Sequence, residues 1–288
     1  MNIKGIIIAA GYGTRFLPIT KSIPKEMLPL GNVPAIEFIV KEFLDSGIND
    51  ILIISSRRKK VMEDYFDRDL ELEEIFKREG RFDKHQELMR ASELADVHFI
   101  RQKEMKGTGH AIYLAKSFVG NNPFVVAYPD DLFLCRVPLT KQLIDEYERT
   151  DKSVISVLEI PKNEVYRYGI IDPDYDEDGT IYVKGMVEKP KIEFAPSNLM
   201  SAGRYLFKPE IMDVFKMLLD QHSGKGELYQ TPGIEYLAKQ KKVVAKIIDG
   251  ERLDTGQPLE YIKAFTRYAL SQDEIRKEYL LFLEEISK

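Results

Sequence analysis

Two carboxylates in this sequence each follow a segment that has the composition of a strand. Asp130 comes shortly after the apolar residues 124–128, and Asp254 ends a second apparent strand just before Thr255 and Gly256. Carboxylate oxygens are the ligands that Mg²⁺ prefers, and this ion commonly takes one or two of them together with substrate phosphates. An Asp after a strand is also typical of a turn or a helix cap, so both interpretations stay open at this point.

A glycine loop at residues 11–15 has the features of an anion-binding site. Glycines let the backbone approach a ligand closely and turn its N–H groups toward an anion. Arg15, Lys21 and Lys25 add positive charge, and three prolines between residues 18 and 29 stiffen the stretch. Two glycines alone are also typical of a tight strand-to-helix turn, but a rigid loop that presents amides and cations is suited to a polyphosphate.

Two common nucleotide-binding fingerprints do not match this loop. The dinucleotide motif GxGxxG requires a third glycine where this chain has Phe16. The P-loop motif requires a Gly-Lys-Ser/Thr sequence, and none follows at the right distance. These mismatches disfavour a nicotinamide-dependent oxidoreductase.

The elements that must position these residues predict an α/β fold with a doubly wound, mostly parallel (mixed) sheet. Four apolar runs have the composition of buried strands, at residues 6–10, 51–55, 97–101 and 124–128. Segments with helical spacing alternate with them, at residues 34–46, 59–66 and 109–118. Ligands of such sheets bind beyond the carboxyl ends of the strands, which is where each motif lies.

The second half of the chain predicts a hairpin followed by helices. Strand-like segments at residues 154–160 and 181–188 flank a turn rich in Asp and Gly at residues 172–179. The charged segment 70–95 is predicted to be a helical appendage, and residues 258–286 a C-terminal helical region. We therefore expect one α/β domain over residues 1–257, with halves of about 1–135 and 136–257, and a helical extension over residues 258–288.

Composition narrows the class of protein further. The 288 residues are 44% hydrophobic and 31% charged, which is typical of a globular protein. The formal net charge of −5 disfavours nucleic-acid binding, because that binding relies on a basic field. No apolar run approaches the about 18 residues of a membrane span, so we expect no membrane association. A single cysteine excludes an intrachain disulfide, and without a signal-peptide pattern we expect a cytoplasmic protein.

Taken together, the motifs resemble the signature of the sugar-1-phosphate nucleotidyltransferase family. The first block runs from Ala9 to Pro29 and contains Lys21 and the sequence Pro-Lys-Glu-Met-Leu-Pro. Further matches follow in the family's order, at residues 101–102, 106–111, 129–131, 168–169, 188–190, 195–199, 203–205 and 253–256. The resemblance spans residues 3 to about 270, and it implies a Rossmann-like nucleotidyltransferase fold.

The resemblance implies a phosphoryl-transfer reaction with two phosphate-bearing substrates. In this family a sugar-1-phosphate oxygen attacks the α-phosphorus of a nucleoside triphosphate in line, so that the enzyme's work is positioning and charge neutralisation. The Pro-Lys-Glu-Met-Leu-Pro form is similar to that of members that use UTP. The expected substrates are UTP and glucose 1-phosphate, the products UDP-glucose and pyrophosphate, and the cofactor Mg²⁺ between Asp130 and Asp254.

The resemblance also implies a role for individual residues. The expected catalytic residues are Arg15, Lys25, Asp130 and Lys189. The expected nucleotide-binding residues are Ala10, Gly11, Gly13, Thr14, Gln102, Gly107 and Gly109. The expected sugar-binding residues are Gly169, Glu188, Lys189 and Ala202. Asp131 is expected to support the metal site or cap a turn, and His110 to be structural.

Two alternative functions remain at this point. A thymidylyltransferase would use dTTP, and thymine differs from uracil by one methyl group, which gives only about 10- to 200-fold discrimination. A non-catalytic sugar-nucleotide-binding protein would be marked by loss of a metal carboxylate or a triphosphate cation. Arg15, Lys25, Asp130 and Asp254 are all present, which favours an enzyme.

Two features leave structural questions open. Pro232 stands where the family usually has an acidic residue, in a segment expected near the sugar. The C-terminal region carries many aromatic residues, at positions 261, 265, 268, 279 and 282. Large exposed apolar patches usually mark interfaces, so we expect a homo-oligomer, a dimer or a tetramer, although the same helices could instead cover the sheet.

Overall fold

The computed structural model describes residues 2–223 and 226–287. Its strands are β1 (Lys4–Ile8), β2 (Pro29–Leu30), β3 (Val33–Pro34), β4 (Ile51–Ser55), β5 (Val97–Arg101), β6 (Phe124–Ala127), β7 (Asp131–Leu134), β8 (Ser153–Glu159), β9 (Gly169–Tyr175), β10 (Ile181–Glu188), β11 (Leu199–Phe207), β12 (Val243–Ile247) and β13 (Glu251–Asp254). Its helices are α1 (Ala35–Asp45), α2 (Lys60–Phe66), α3 (Leu70–Arg78), α4 (Phe82–Ser92), α5 (Thr108–Leu114), α6 (Lys116–Val119), α7 (Leu139–Thr150), α8 (Ile211–Gln221), α9 (Thr231–Ala238), α10 (Pro258–Ser271) and α11 (Asp273–Ile286).

A nine-stranded sheet in the order β5-β4-β1-β6-β11-β8-β12-β10-β9 forms the centre of the fold. The first four strands pair in parallel, and β11 then runs antiparallel to both β6 and β8. Beyond them β8 and β12 pair in parallel, while β9 and β10 form an antiparallel hairpin. The predicted mixed, doubly wound sheet is therefore confirmed, with parallel pairing in the first half of the chain.

The unbroken apolar run of β1 reflects burial on both faces of this sheet. Ile6 and Ile8 pack into a core cluster on one face, while Ile7 packs into a second cluster on the other. Since successive side chains of a strand point to opposite faces, a strand covered on both sides has no polar alternation. The same reasoning accounts for β4, all of whose residues are buried.

β11, the longest strand, is not among the strands that the sequence predicted. Its middle carries Gly203 and Arg204, which interrupt the apolar pattern. Arg204 is fully buried, and its guanidinium pairs with Glu42 of α1, with Nε 3.0 Å from Oε1 and Nη2 2.8 Å from Oε2. An internal ion pair therefore stands at the centre of the sheet, where composition alone predicts apolar residues.

The hairpin of β9 and β10 confirms the prediction in outline, but the predicted turn over residues 172–179 begins too early. β9 continues to Tyr175, which pairs with Ile181 across the ladder. Pro173 lies inside this strand, opposite Val183. Proline cannot donate a ladder hydrogen bond, and it is tolerated here because β9 is at the edge of the sheet.

Both predicted helical regions are present. Residues 70–95 form α3 and α4, and residues 258–286 form α10 and α11. α10 contributes Ala264 to one of the two main core clusters, whereas α11 buries none of its described residues. Within the described residues, no helix is long and apolar enough to cross a membrane.

Candidate active site

A cavity of about 270 Å³ opens at the carboxyl ends of the central strands, where β6 and β10 end and β9 begins. It gathers side chains from segments that are far apart in the sequence. Six of the predicted site residues line it: Arg15, Asp130, Gly169, Glu188, Lys189 and Asp254. The structure therefore places the predicted phosphate loop, both carboxylates and most of the predicted sugar-binding residues around one space.

Lys25 and Asp130 are in direct contact inside this site. The Nζ atom of Lys25 donates a short hydrogen bond to Oδ2 of Asp130. Burial by itself would raise the pKa of Asp130, but the charge and hydrogen bond of Lys25 outweigh it and hold that pKa below its ordinary value. Burial likewise acts to lower the pKa of Lys25, and Asp130 raises it above the ordinary value. Both groups are therefore charged near neutral pH.

A buried ion pair supports the same loop. Glu26 follows Lys25 directly, and both of its carboxylate oxygens accept hydrogen bonds of 2.7 Å from Nζ of Lys59. Both side chains are almost fully buried. This pair, which the sequence analysis did not single out, ties the loop to the segment that follows β4.

The two predicted metal ligands point toward a common position. A Cβ atom on Gly256 would lie 3.1 Å from Oδ2 of Asp130 and 3.2 Å from Oδ1 of Asp254. Glycine thus leaves open the space between the two carboxylates. Residues 2–223 and 226–287 contain no group of three or more His, Cys, Asp or Glu side chains that could hold a metal. The donor set fits an ion such as Mg²⁺, which takes one or two carboxylates and completes its shell with phosphate oxygens and water.

Arg252 is a site residue that the sequence analysis missed. Its Nε donates to Oδ1 of Asp131 at 2.5 Å, and its Nη1 lies 3.3 Å from Oδ2 of Asp254. Burial acts to lower its pKa, but Asp131 and Asp254 raise it above the ordinary value. Arg252 and Asp254 flank the fully buried Leu253 in β13, so their side chains share the opposite face of this strand. This alternation of polar and apolar residues is the sequence pattern that could have identified Arg252.

Two arginine side chains in the cavity wall lie over the ring of Tyr168. The guanidinium carbon of Arg167 lies 5.2 Å from the centre of the Tyr168 ring, and that of Arg252 lies 5.3 Å from it. Both distances are within the range of cation–π contacts. Together with Arg15 and Lys189, these side chains give the cavity a positively charged wall suited to phosphate.

Gly169 and Glu188 face each other across the β9–β10 ladder. A Cβ atom on Gly169 would lie 2.9 Å from Oε2 of Glu188, so any larger residue at position 169 would displace that carboxylate. Lys189 follows with a φ of +48°, and its backbone N–H donates to the carbonyl of Tyr168 at 2.9 Å. This left-handed backbone conformation turns the chain at the end of β10 and brings the Lys189 side chain to the cavity.

Ala202 is a correction to the predicted sugar-binding set. Its side chain is fully buried in a small apolar cluster with Ile170 and Met200, away from the cavity. Gly203, the next residue, lines the cavity instead. Neighbouring residues of a strand face opposite sides of the sheet. A shift of the strand by one residue would bring Ala202 to the cavity and move Gly203 into the core.

A second cavity, of about 170 Å³, lies beside the glycine loop. It is lined by four of the predicted nucleotide-binding residues, Ala10, Gly11, Gln102 and Gly107. Tyr12, Thr108 and Glu227 complete its polar wall. The glycine loop contributes to both cavities, through Arg15 to the first and through Gly11 and Tyr12 to the second.

Gln102 is oriented by its protein contacts. Its Nε2 donates to the carbonyl of Gly107 at 3.1 Å and lies 3.1 Å from Nδ1 of His110. Burial first, and the charge of Lys106 second, lower the pKa of His110, so that Nδ1 of the neutral ring can accept from the amide. The amide nitrogen of Gln102 is thus engaged, which leaves its carbonyl oxygen for a ligand.

The remaining predicted nucleotide-binding residues shape the loops. Gly13, at a φ of +67°, is where the glycine loop turns, and Thr14 begins the 3₁₀ turn that carries Arg15. A Cβ on Gly109 would lie 2.8 Å from the carbonyl oxygen of Tyr229, so this glycine permits close backbone packing. Gly13, Thr14 and Gly109 do not line either cavity, so the structure gives them a supporting position only.

Comparison with known proteins identifies relatives over nearly the whole chain. Residues 4–271 match the nucleotidyl transferase family. A protein of Staphylococcus saprophyticus named UTP–glucose-1-phosphate uridylyltransferase 1 is 44% identical over 286 residues, which is 99% of each chain. A UTP-bound UGPase from Acinetobacter baumannii superimposes with a TM-score of 0.88 at 34% identity over 99% of each chain. A UDP-glucose pyrophosphorylase complexed with UDP-glucose has a TM-score of 0.82 at 37% identity over 94% of this chain and 100% of its own.

The similarity covers the segments that form both cavities, from the glycine loop to β13. A thymidylyltransferase structure from Bacillus anthracis is 22% identical with a TM-score of 0.72, which shows a shared fold alone. By sequence and by structure, this chain belongs to the nucleotidyl transferase family, among the UTP–glucose-1-phosphate uridylyltransferases.

Proposed function

We propose that this protein forms UDP-glucose and pyrophosphate from UTP and α-D-glucose 1-phosphate. The observation that carries the proposal is the arrangement of the two cavities around one pair of carboxylates. Asp130 and Asp254 converge beside Gly256, with the glycine loop on the nucleotide side and Glu188 and Lys189 on the other. The solved relatives bear the names of complexes with UTP and with UDP-glucose, which supports the same assignment.

The chain's own groups supply positioning and charge compensation. The glycine loop binds the triphosphate through backbone N–H groups, and Arg15 and Lys25 neutralise its charge. Lys189 holds the phosphate of the sugar, so that its attacking oxygen lies in line with the α-phosphorus. The oxygen of the sugar phosphate attacks the α-phosphorus directly, so no covalent enzyme intermediate is required. Holding the two substrates in the right geometry lowers the barrier substantially.

Asp130 and Asp254 would hold Mg²⁺ in the space beside Gly256. When bound, this ion neutralises phosphate charge and polarises the phosphoryl group. Arg252 lies against Asp254 and Asp131, so it limits the negative charge of the three neighbouring carboxylates. The same guanidinium charge helps to hold the pKa of Asp130 below its ordinary value.

Gln102 is proposed to read the nucleobase. With its Nε2 engaged by Gly107 and His110, its carbonyl oxygen accepts a hydrogen bond. Uracil presents one ring N–H, at N3, whereas cytosine has an acceptor at the same position. Thymine shares this N–H with uracil, so discrimination against dTTP depends on the space for one methyl group.

We also propose that the protein self-associates through α11. This helix exposes large apolar side chains, among them Ile275, Leu281, Phe282 and Ile286. None of its described residues is buried by the rest of the chain. A second copy of α11 offers a matching apolar face, which supports a dimer or a tetramer.

A pyrophosphate-release assay over a grid of substrates tests the proposed reaction. Nucleotides (UTP, dTTP, CTP and ATP) are paired with glucose, galactose and mannose 1-phosphates in the presence of Mg²⁺. We expect UTP with glucose 1-phosphate to give the highest kcat/KM. Preference for dTTP would instead support a thymidylyltransferase, and binding of UDP-glucose without turnover of any pair would support a non-catalytic binding protein.

A further inference from the structure

The sugar-side cavity contains a set of polar side chains that the family motifs leave without a role. Tyr128, Ser201, Tyr205 and Gln230 all line it. The buried hydroxyl of Tyr128 has no hydrogen-bond partner in the part of the chain that the structure describes. Thr108 is close enough to influence the pKa of Tyr128, but the pair lacks hydrogen-bond geometry. A buried polar group without a partner costs free energy, so the hydrogen-bonding groups of this cavity wall are not all satisfied by the protein itself.

Thr108 fixes the orientation of the Gln230 side chain. The two residues are 122 positions apart, and Oγ1 of Thr108 lies 2.5 Å from Oε1 of Gln230. This separation suits an O–H···O bond and is short for N–H···O, so the amide oxygen faces Thr108. The backbone N–H of Gln230 also donates to Oγ1 of Thr108, at 3.2 Å. The amide nitrogen must therefore face the other way.

The amide nitrogen of Gln230 is only weakly engaged. It lies 3.5 Å from Oη of Tyr205, at the outer limit of a hydrogen bond. Tyr205 already has a partner, because its hydroxyl lies 2.9 Å from Oγ of Ser201. An amide group has two N–H donors, so at least one donor of Gln230 remains for a ligand in the cavity.

The segment that carries Gln230 is held firmly on both sides. The backbone N–H of Leu228 donates to the carbonyl of Lys106, and the N–H of Gly109 donates to the carbonyl of Leu228, both at 2.8 Å. Pro232 lies in the first turn of α9, where proline is well tolerated. Gln230 precedes this helix, and its side chain does not cap it. Pro232 is thus compatible with the start of the helix that follows Gln230.

We propose that Gln230 determines sugar specificity by donating an N–H to one hydroxyl oxygen of the hexose. The ionised carboxylate of Glu188 can only accept hydrogen bonds, so it recognises hydroxyl groups as donors. Gln230 adds a fixed donor in the same cavity and recognises a hydroxyl as an acceptor. This inference rests on the proposed function, since it requires a sugar phosphate in the cavity.

The test compares Gln230→Met with the wild-type enzyme on glucose 1-phosphate and its 2-, 3-, 4- and 6-deoxy analogues. Methionine keeps the length of the side chain and removes its hydrogen bonds. We expect kcat/KM for glucose 1-phosphate to fall about 3- to 10-fold, the value of one hydrogen bond. For one deoxy analogue, the variant and the wild type should be equally active, because the hydroxyl that Gln230 contacts is already gone. The Kd of UTP, measured by calorimetry without sugar, should stay the same.

Matched variants separate recognition from folding. Gln240→Met changes the same residue type at the end of α9, where the amide donates only to the carbonyl of Tyr236 at 3.4 Å, and should change no rate. If Gln230→Met unfolds, Gln230→Leu also removes the amide without adding a charge, and it should give the same pattern. An equal loss for all four deoxy analogues, or a matching loss of UTP affinity, would overturn the proposal. A wild-type enzyme inactive on glucose 1-phosphate would instead refute the proposed function.

Discussion

The ammonium group of Lys25 lies directly against the carboxylate of Asp130, and this contact joins the proposed phosphate-binding loop to the proposed metal ligand. The two residues are 105 positions apart in the chain. Because Asp130 is only partly exposed, a counter-ion stabilises its charge, and Lys25 supplies one.

Replacement of Lys25 by alanine should lower kcat and kcat/KM together, by about 100-fold or more. Negative charge builds on the departing pyrophosphate in the transition state, and an interaction made mainly there affects both constants. The acid limb of the pH–rate profile should also move to higher pH, since Lys25 is what lowers the pKa of Asp130 against the effect of burial. The measurement is initial-rate kinetics from pH 5 to 9. Lys60→Ala, at an exposed pair 3.7 Å from Asp64, is the control, and an unmoved acid limb would contradict the assignment.

The variants Asp130→Asn and Asp254→Asn should each lose activity by about 100-fold or more while the fold survives. A carboxamide has a similar shape but is a poor Mg²⁺ ligand. Rates at increasing Mg²⁺ concentration, with circular dichroism to verify folding, measure the effect. Asp145→Asn, in an exposed pair with Lys141, should behave as wild type. Near-normal turnover with unchanged Mg²⁺ dependence in either variant would remove that residue from the metal site.

Lys189→Ala should weaken the use of glucose 1-phosphate and leave UTP binding without sugar nearly intact. Lys189 lies at the end of β10 beside the sugar-side residues, and its ammonium acts as a point charge on phosphate. Kinetics in both substrates and UTP calorimetry distinguish the two effects. Lys184→Ala, an exposed lysine of the same strand, serves as the control. Loss of UTP binding with an unchanged sugar KM would mean that Lys189 serves the nucleotide instead.

Gly203→Ala should destabilise the protein by about 3 kcal/mol or more, which urea unfolding can measure. Gly203 has a φ of +65°, and a Cβ there would overlap the carboxylate of Asp131. Gly179 has a similar φ of +82° but open space around its Cβ position. Gly179→Ala should therefore cost only about 1–2 kcal/mol, from backbone strain alone. Equal losses in the two variants would show that the contact with Asp131 has no energetic weight.

Leu281→Lys should shift the protein toward monomer if α11 forms the interface. The substitution places a charge in the exposed apolar face of this helix, which opposes its burial against a second copy. Sedimentation velocity over a range of concentrations measures the change. Glu278→Lys alters the charge of the same helix at a polar position and should leave the assembly intact. A wild-type protein that is monomeric at every concentration would exclude self-association.

The amino-acid sequence by itself determined the parts of this protein that depend on local pattern. Apolar runs such as β1 predict strands covered on both faces, because the composition of a segment directly reflects whether water reaches it. The glycine loop and the carboxylates after the strands predict a phosphate site at one edge of the sheet, because parallel strands end together there. Family resemblance supplied the reaction, and the comparisons confirm it.

Only the tertiary structure decided which side chains face each other. Arg204 in the middle of β11 interrupts its apolar pattern, and its partner Glu42 is 162 residues away. Strand register placed Gly203 at the cavity and Ala202 in the core, a choice that a shift of one residue would reverse. Arg252 and Gln230 gained their roles from partners more than a hundred positions distant. Such contacts depend on how separate elements pack, and no local spacing along the chain encodes that packing.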